Sequence, residues 1–137
     1  LKEIAALKSG HDVEREDGSL LTAEQYSYKP YEPRSAAFCS DTAPFPQLRD
    51  WVAGVDVLYH EATFGNDMKD LSAEYFHSTA ADAAAVAAAA GVHKLVIGHF
   101  SSRYPDVNLL LEEAREVFPE TYLAQEGMIF DIPVKKL

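Results

Sequence analysis

The sequence predicts an α/β layer structure, and three observations lead to it. Apolar runs of strand-forming residues recur at 35–39, 55–59 and 94–97, and each gives way to a polar loop. Between them lie stretches with helical start and stop signals, so strands and helices alternate along the chain. Each run also delivers reactive side chains to its end: Asp41 after the first, His60 and Glu61 after the second, His99 after the third. Edges where strands hand over to loops are the usual place for chemistry in such folds.

Taken in order, residues 1–8 carry a short helix signal that stops at Gly10, and residues 16–19 form a polar turn. Pro30 and Pro33 oppose regular structure, so residues 1–34 read as an approach segment ahead of a domain over 35–137. Tyr26, Tyr28 and Tyr31 stand near these prolines, where tyrosines either pack a loop onto a sheet or offer a stacking platform for bases. After the first strand, Pro44 and Pro46 suit a first helical turn, Leu48, Trp51 and Val52 form an apolar stripe, and Gly54 is the stop. A long loop follows the strand over 55–59. Ser78 and Thr79 can then cap a helix, with Asp82 in the capping-box position, and Gly91 ends it after the alanine-rich run 83–90. Such small side chains let a helix lie close against a sheet.

Beyond the strand over 94–97, Asp106 can cap a third helix, in which Leu110, Ala114, Val117 and Phe118 recur at helical spacing before Pro119. Residues 122–124 and 128–132 read as two final short strands, turned at Glu126 and Gly127.

The chain has 137 residues, enough for one domain with a core, and 47% hydrophobic against 25% charged residues is ordinary globular material. No apolar run approaches a membrane span and no signal peptide opens the sequence, so a cytoplasmic chain without a membrane partner is expected. Cys39 is the one cysteine, which excludes an internal disulfide and a cysteine-based zinc site; inside an apolar strand it reads as an inert small hydrophobe. A formal charge of −10 repels polyanions, so any nucleic-acid role has to overcome it locally, through a metal, a few basic residues or another part of the protein.

Asp41, His60, Glu61, His77 and His99 are the polar groups collected at the strand ends. Carboxylates and imidazoles are what a hydrolytic zinc site uses, but no HExxH, CxxC or HxHxDH occurs, and helix caps and turns account for such residues equally well. Glu61 and His77 stand at either end of one loop. They can pair across it, the carboxylate orienting a protonated imidazole as a general acid, or form an ordinary surface salt link. His11 and His93 read as solvent-facing. No Gly-rich phosphate loop and no G-x-S-x-G elbow is present, so nucleotide-binding and serine-hydrolase readings drop away.

Four motifs, in order, are Phe38-Cys39-Ser40-Asp41-Thr42, His60-Glu61-Ala62-Thr63-Phe64, His77-Ser78-Thr79 before an alanine-rich helix, and His99-Phe100-Ser101-Ser102-Arg103-Tyr104. Together they resemble the C-terminal half of the ribonuclease Z family, endonucleases of the metallo-β-lactamase superfamily that trim the 3′ end of precursor tRNA. The resemblance implies one half of a four-layer αββα sandwich. It also implies that Asp41 and His99 are metal ligands in a site holding two zinc ions, with Asp41 the bridging carboxylate. Glu61 would orient His77, which protonates the leaving 3′ oxygen, and Arg103, with Ser101 and Ser102, would meet the RNA. His60 would be structural. The complete enzyme is expected to be a homodimer.

The family's HxHxDH motif, a further histidine ligand and the arm that grips tRNA belong to the other half, and this chain lacks them. Two ligands cannot complete two tetrahedral sites, so the segment alone is expected to bind zinc poorly and to be inactive. Rival readings are another hydrolase of the same fold, such as an arylsulfatase-like or small phosphodiester hydrolase, and a non-catalytic α/β fragment.

Overall fold

A computed structural model describes residues 2–27 and 32–135. The chain divides into two compact units, Leu1–Pro33 with Pro133–Leu137, and Arg34–Ile132.

In the first unit, helix α1 (Lys2–Lys8) is followed by an antiparallel pair, β1 (Val13–Glu14) and β2 (Leu20–Leu21), and by one capped turn, α2 (Ala23–Tyr26). The polar turn expected over 16–19 closes this hairpin: Asp17 accepts from the backbone and hydroxyl of Ser19. Two-residue strands are too short for alternation to reveal, which is why the hairpin was not foreseen. Tyr26 is exposed; Tyr28, Pro30 and Tyr31 lie outside the described residues.

The second unit is built on four parallel strands, β3 (Ala36–Cys39), β4 (Val57–Glu61), β5 (Lys94–Gly98) and β6 (Thr121–Leu123), in that spatial order. Their crossovers carry α3 (Leu48–Trp51), α4 (Lys69–Glu74), α5 (Ala80–Ala90) and α6 (Asn108–Val117). Period-two alternation sorts the sheet into two faces. Ala37, Leu58 and Leu95 form one row, and Cys39, His60, Ile97 and Leu123 the next; these lie in or against the core made with α3, α5 and α6. The opposite row is Phe38, Tyr59, Val96 and Tyr122, where Phe38 and Tyr59 stack at 4.3 Å. Phe38 is 73% exposed there.

Helix α5 explains how the sheet is covered. Ala80, Ala83, Ala84 and Ala87 are fully buried, so the helix backbone approaches the strands as the alanine run predicts. The predicted capping box is complete: Asp82 N–H donates to Thr79 Oγ1 and Thr79 N–H to Asp82 Oδ2. Gly91 ends the helix in the left-handed region, φ +63°. Thr79→Ala is expected to lower stability by about 1–2 kcal/mol, the upper part of the range for a lost cap because the site is dry. A urea midpoint unchanged at constant slope would show that the box contributes nothing.

Four expectations are corrected. The helix after Pro44 and Pro46 is a single turn that begins beyond both prolines, and Trp51 is 74% exposed while Leu48 and Val52 face the core. Residues 128–132 form no strand among the described residues. They have no ladder beside β6, and Phe130 instead packs edge-on against Tyr122. The second strand starts at Val57 and runs on through His60 and Glu61, because parallel pairing continues as far as Glu61 with Gly98. At the start of α6, Asp106 accepts the N–H of Asn108 but does not cap the helix as expected: the N-cap is Val107, which makes no side-chain bond.

Candidate metal and catalytic site

Glu61 is the organising group. It is the last residue of β4, fully buried, and its carboxylate accepts five hydrogen bonds: from the backbone N–H of Thr42, Thr63 and Ser78, the Thr63 hydroxyl and His77 Nδ1. Burial alone would raise its pKa, but these donors outweigh it and hold the carboxyl below its ordinary value. With both oxygens committed to donors, Glu61 is an anchor for loops and not a candidate metal ligand.

The donors come from three separate loops. Thr42 follows β3, Thr63 follows β4, and His77 and Ser78 precede α5. Further bonds tie the same loops together: Ser78 Oγ donates to Thr42 O at 2.6 Å, Ser72 Oγ to His77 O at 2.8 Å, and Ser101 N–H to Thr63 O at 3.0 Å. His77 and Glu61 meet at 2.8 Å, with the carboxylate wholly out of water. The alternative of an ordinary surface salt link does not describe that pair.

Asp41, His77 and His99 converge, each offering a ligand atom within 4.8 Å of the others. His99 Nε2 lies 3.3 Å from Asp41 Oδ1, and the two imidazoles face each other at 5.5 Å. Carboxylate and imidazole are donor types that suit a borderline cation such as zinc, and the cluster is partly open to solvent. Two backbone positions beside the cluster are strained: Phe76 (φ +58°) and His99 (φ +60°) occupy the left-handed region without being glycine. Each costs about 1–2 kcal/mol. His99 is a member of the cluster, and Phe76 immediately precedes another member, His77.

The remaining predicted residues fall into two groups. Ser101, Ser102 and Arg103 follow His99 on the loop that Ser101 ties to Thr63, and Ser102 and Arg103 are exposed. His60 is turned to the other side of the strand. Its Nδ1 donates to the carbonyl of Glu61 at 2.7 Å, its Nε2 is buried without a hydrogen-bond partner, and burial lowers its pKa. His11 and His93 are exposed, the latter 3.1 Å from Asp56. Cys39 is half-buried against the core, and burial raises its pKa.

Thr42, Thr63 and Ser78 were missed as site residues. Each adjoins a residue already singled out, and a hydroxyl or amide one or two positions from a reactive side chain was the available signal.

No family model matches the chain. Ribonuclease Z of Bacteroides fragilis is 42% identical over 130 residues, 95% of this chain and 43% of that protein. Among solved structures, the short form of human tRNase Z superposes with a TM-score of 0.59 at 26% identity, covering 84% of this chain and 37% of that one. The metallo-β-lactamase fold protein YhfI of Bacillus subtilis gives a TM-score of 0.65 at 21% identity over 75% of this chain and 40% of that one, a likeness of fold. The chain spans less than half the length of these proteins, as a chain carrying one half of the fold should. With 42% identity over 95% of its length, the chain belongs to the ribonuclease Z family, and it has the metallo-β-lactamase fold.

Proposed function

We propose that this chain is the catalytic-acid half of a zinc-dependent endoribonuclease that removes the 3′ trailer of precursor tRNA. The activity is that of the complete cytoplasmic homodimer with two zinc ions per site; the segment alone is inactive. The observation that carries this reading is His77 held 2.8 Å from the buried Glu61 carboxylate, in one cluster with Asp41 and His99.

Asp41 and His99 would hold metal. Bound metal ions supply Lewis-acid chemistry, polarising the scissile phosphodiester and easing deprotonation of the attacking water. Glu61 holds His77 through Nδ1, so Nε2 is the nitrogen left to give a proton to the leaving 3′ oxygen. The strained loops that carry His77 and His99 keep both rings on the same spot, which is the positioning that in-line cleavage requires. Arg103, exposed on the loop beyond His99, would contact RNA phosphate, with Ser101 and Ser102 beside it. A chain of charge −10 needs such local cations, and a basic element elsewhere, to hold RNA.

In the full-length protein, His77→Ala is expected to slow cleavage of precursor tRNA about 100-fold or more while zinc content holds. Parallel loss of zinc and rate would make His77 a ligand and overturn its role as acid. Turnover of small phosphodiesters with no cut at the tRNA 3′ end would favour another hydrolase of this fold.

A further inference from the structure

Thr63 sits where one hydroxyl meets three functional side chains. Its Oγ1 lies 2.8 Å from Glu61 Oε2, 2.9 Å from His99 Nδ1 and 3.2 Å from His77 Nδ1, and the residue is buried. A hydroxyl has one proton to give and two lone pairs with which to accept. Every other group around the Glu61 carboxylate is a donor, so the carboxylate acts there as an acceptor. Were the Thr63 proton directed at His99, hydroxyl and carboxylate oxygens would face each other at 2.8 Å with nothing between them. The proton therefore goes to Glu61, and Thr63 Oγ1 is left to accept.

An accepting oxygen 2.9 Å from His99 Nδ1 makes a bond only if Nδ1 carries the hydrogen. That leaves Nε2 as the free lone pair of His99, and Nε2 is the atom beside Asp41. His77 is held in the same sense by a direct bond from Nδ1 to Glu61. One buried carboxylate thus sets both rings, His77 directly and His99 through Thr63.

We propose that Thr63 is a positioning residue for the metal centre: its hydroxyl fixes His99 as the Nδ1–H tautomer and so presents Nε2 for coordination. This rests on His99 being a metal ligand. A bond from the second nitrogen to an acceptor orients a ligating imidazole and raises its basicity, and losing such a bond weakens metal affinity about 10- to 100-fold. The backbone bond from Ser101 N–H to Thr63 O does not involve the hydroxyl, so a side-chain substitution leaves that tie between the two loops in place.

The test uses the full-length protein with Zn²⁺ as the probe. In the zinc-loaded wild type, long-range ¹H–¹⁵N spectra are expected to show His99 with its proton on Nδ1. Thr63→Val, nearly isosteric, should release that tautomer and weaken zinc binding, measured by chelator competition, by about 10- to 100-fold. Thr63→Ser, which keeps the hydroxyl, should restore both. An Nε2–H form of His99 in the wild type would overturn the proposal without any variant, as would a Thr63→Val protein that binds zinc like wild type. His99→Ala is the separate control: undiminished zinc binding there would remove His99 from the metal site and refute that assignment independently of Thr63.

Discussion

Glu61→Ala is expected to lower the unfolding free energy by about 3–5 kcal/mol, the range found when one member of a buried charged network is removed. The reason is what the substitution leaves behind. Three backbone N–H groups, a hydroxyl and an imidazole lose their acceptor, in a place where water replaces it poorly, and a cavity opens beneath three loops. Urea unfolding measures the loss directly. A change under about 1 kcal/mol would mean that the loops do not depend on the carboxylate.

The same residue has a pH signature. Its folded pKa lies below the ordinary glutamate value of 4.5, so its stabilising contribution is complete above that pH and is lost as pH falls through the lower, folded value. His60 acts in the same direction from a higher starting point. Its folded pKa is also depressed, so its share begins to fall below the ordinary histidine value of 6.5. Wild-type stability should therefore decline in two stages on acidification. Glu61→Ala should keep the first stage and lose the second, and a variant with both stages intact would assign the acid step to other carboxylates.

Gly98→Ala is the second large effect expected. A Cβ at this position would stand 2.5 Å from Tyr59 Oη, 2.8 Å from Cε2 and 3.0 Å from Cζ. Gly98 has no need of a special φ; the constraint is the tyrosine ring lying across it from β4. Either that ring leaves its stack on Phe38, or the end of β5 shifts and carries His99 with it. The expected cost is about 1–3 kcal/mol, as for other overpacked positions. A double-mutant cycle separates the outcomes. If the ring is the obstacle, Gly98→Ala costs little once Tyr59→Ala has removed it. An undiminished cost in that background would place the conflict in the backbone beside His99.

Several features are readable in the sequence because their causes are local. Thr79, Asp82 and Gly91 bound α5 through bonds and dihedrals that span three or four residues, and the alanine run between them admits close packing whatever lies opposite. The three main strands and the positions of Asp41, Glu61 and His99 at their ends follow from apolar runs that stop at polar residues. Local pattern misleads where an outcome depends on a neighbour in space. Residues 128–132 have the composition of a strand but no ladder beside them, and Trp51 sits at an apolar spacing on a helix too short to turn it inward.

The site divides along the same line. Sequence by itself determined which reactive side chains stand at the strand ends, and through their motifs the family to which they belong. Only the tertiary structure decided that Glu61 is a buried hub, that Thr63 joins it to His99, and that His60 turns away toward the core. Most of the donors that hold Glu61 are backbone N–H groups, which every residue but proline possesses and no sequence pattern marks. Their convergence arises because parallel strands, about 4.7–4.9 Å apart, bring together loops distant in sequence, 19 residues from Thr42 to Glu61 and 36 from Thr63 to His99.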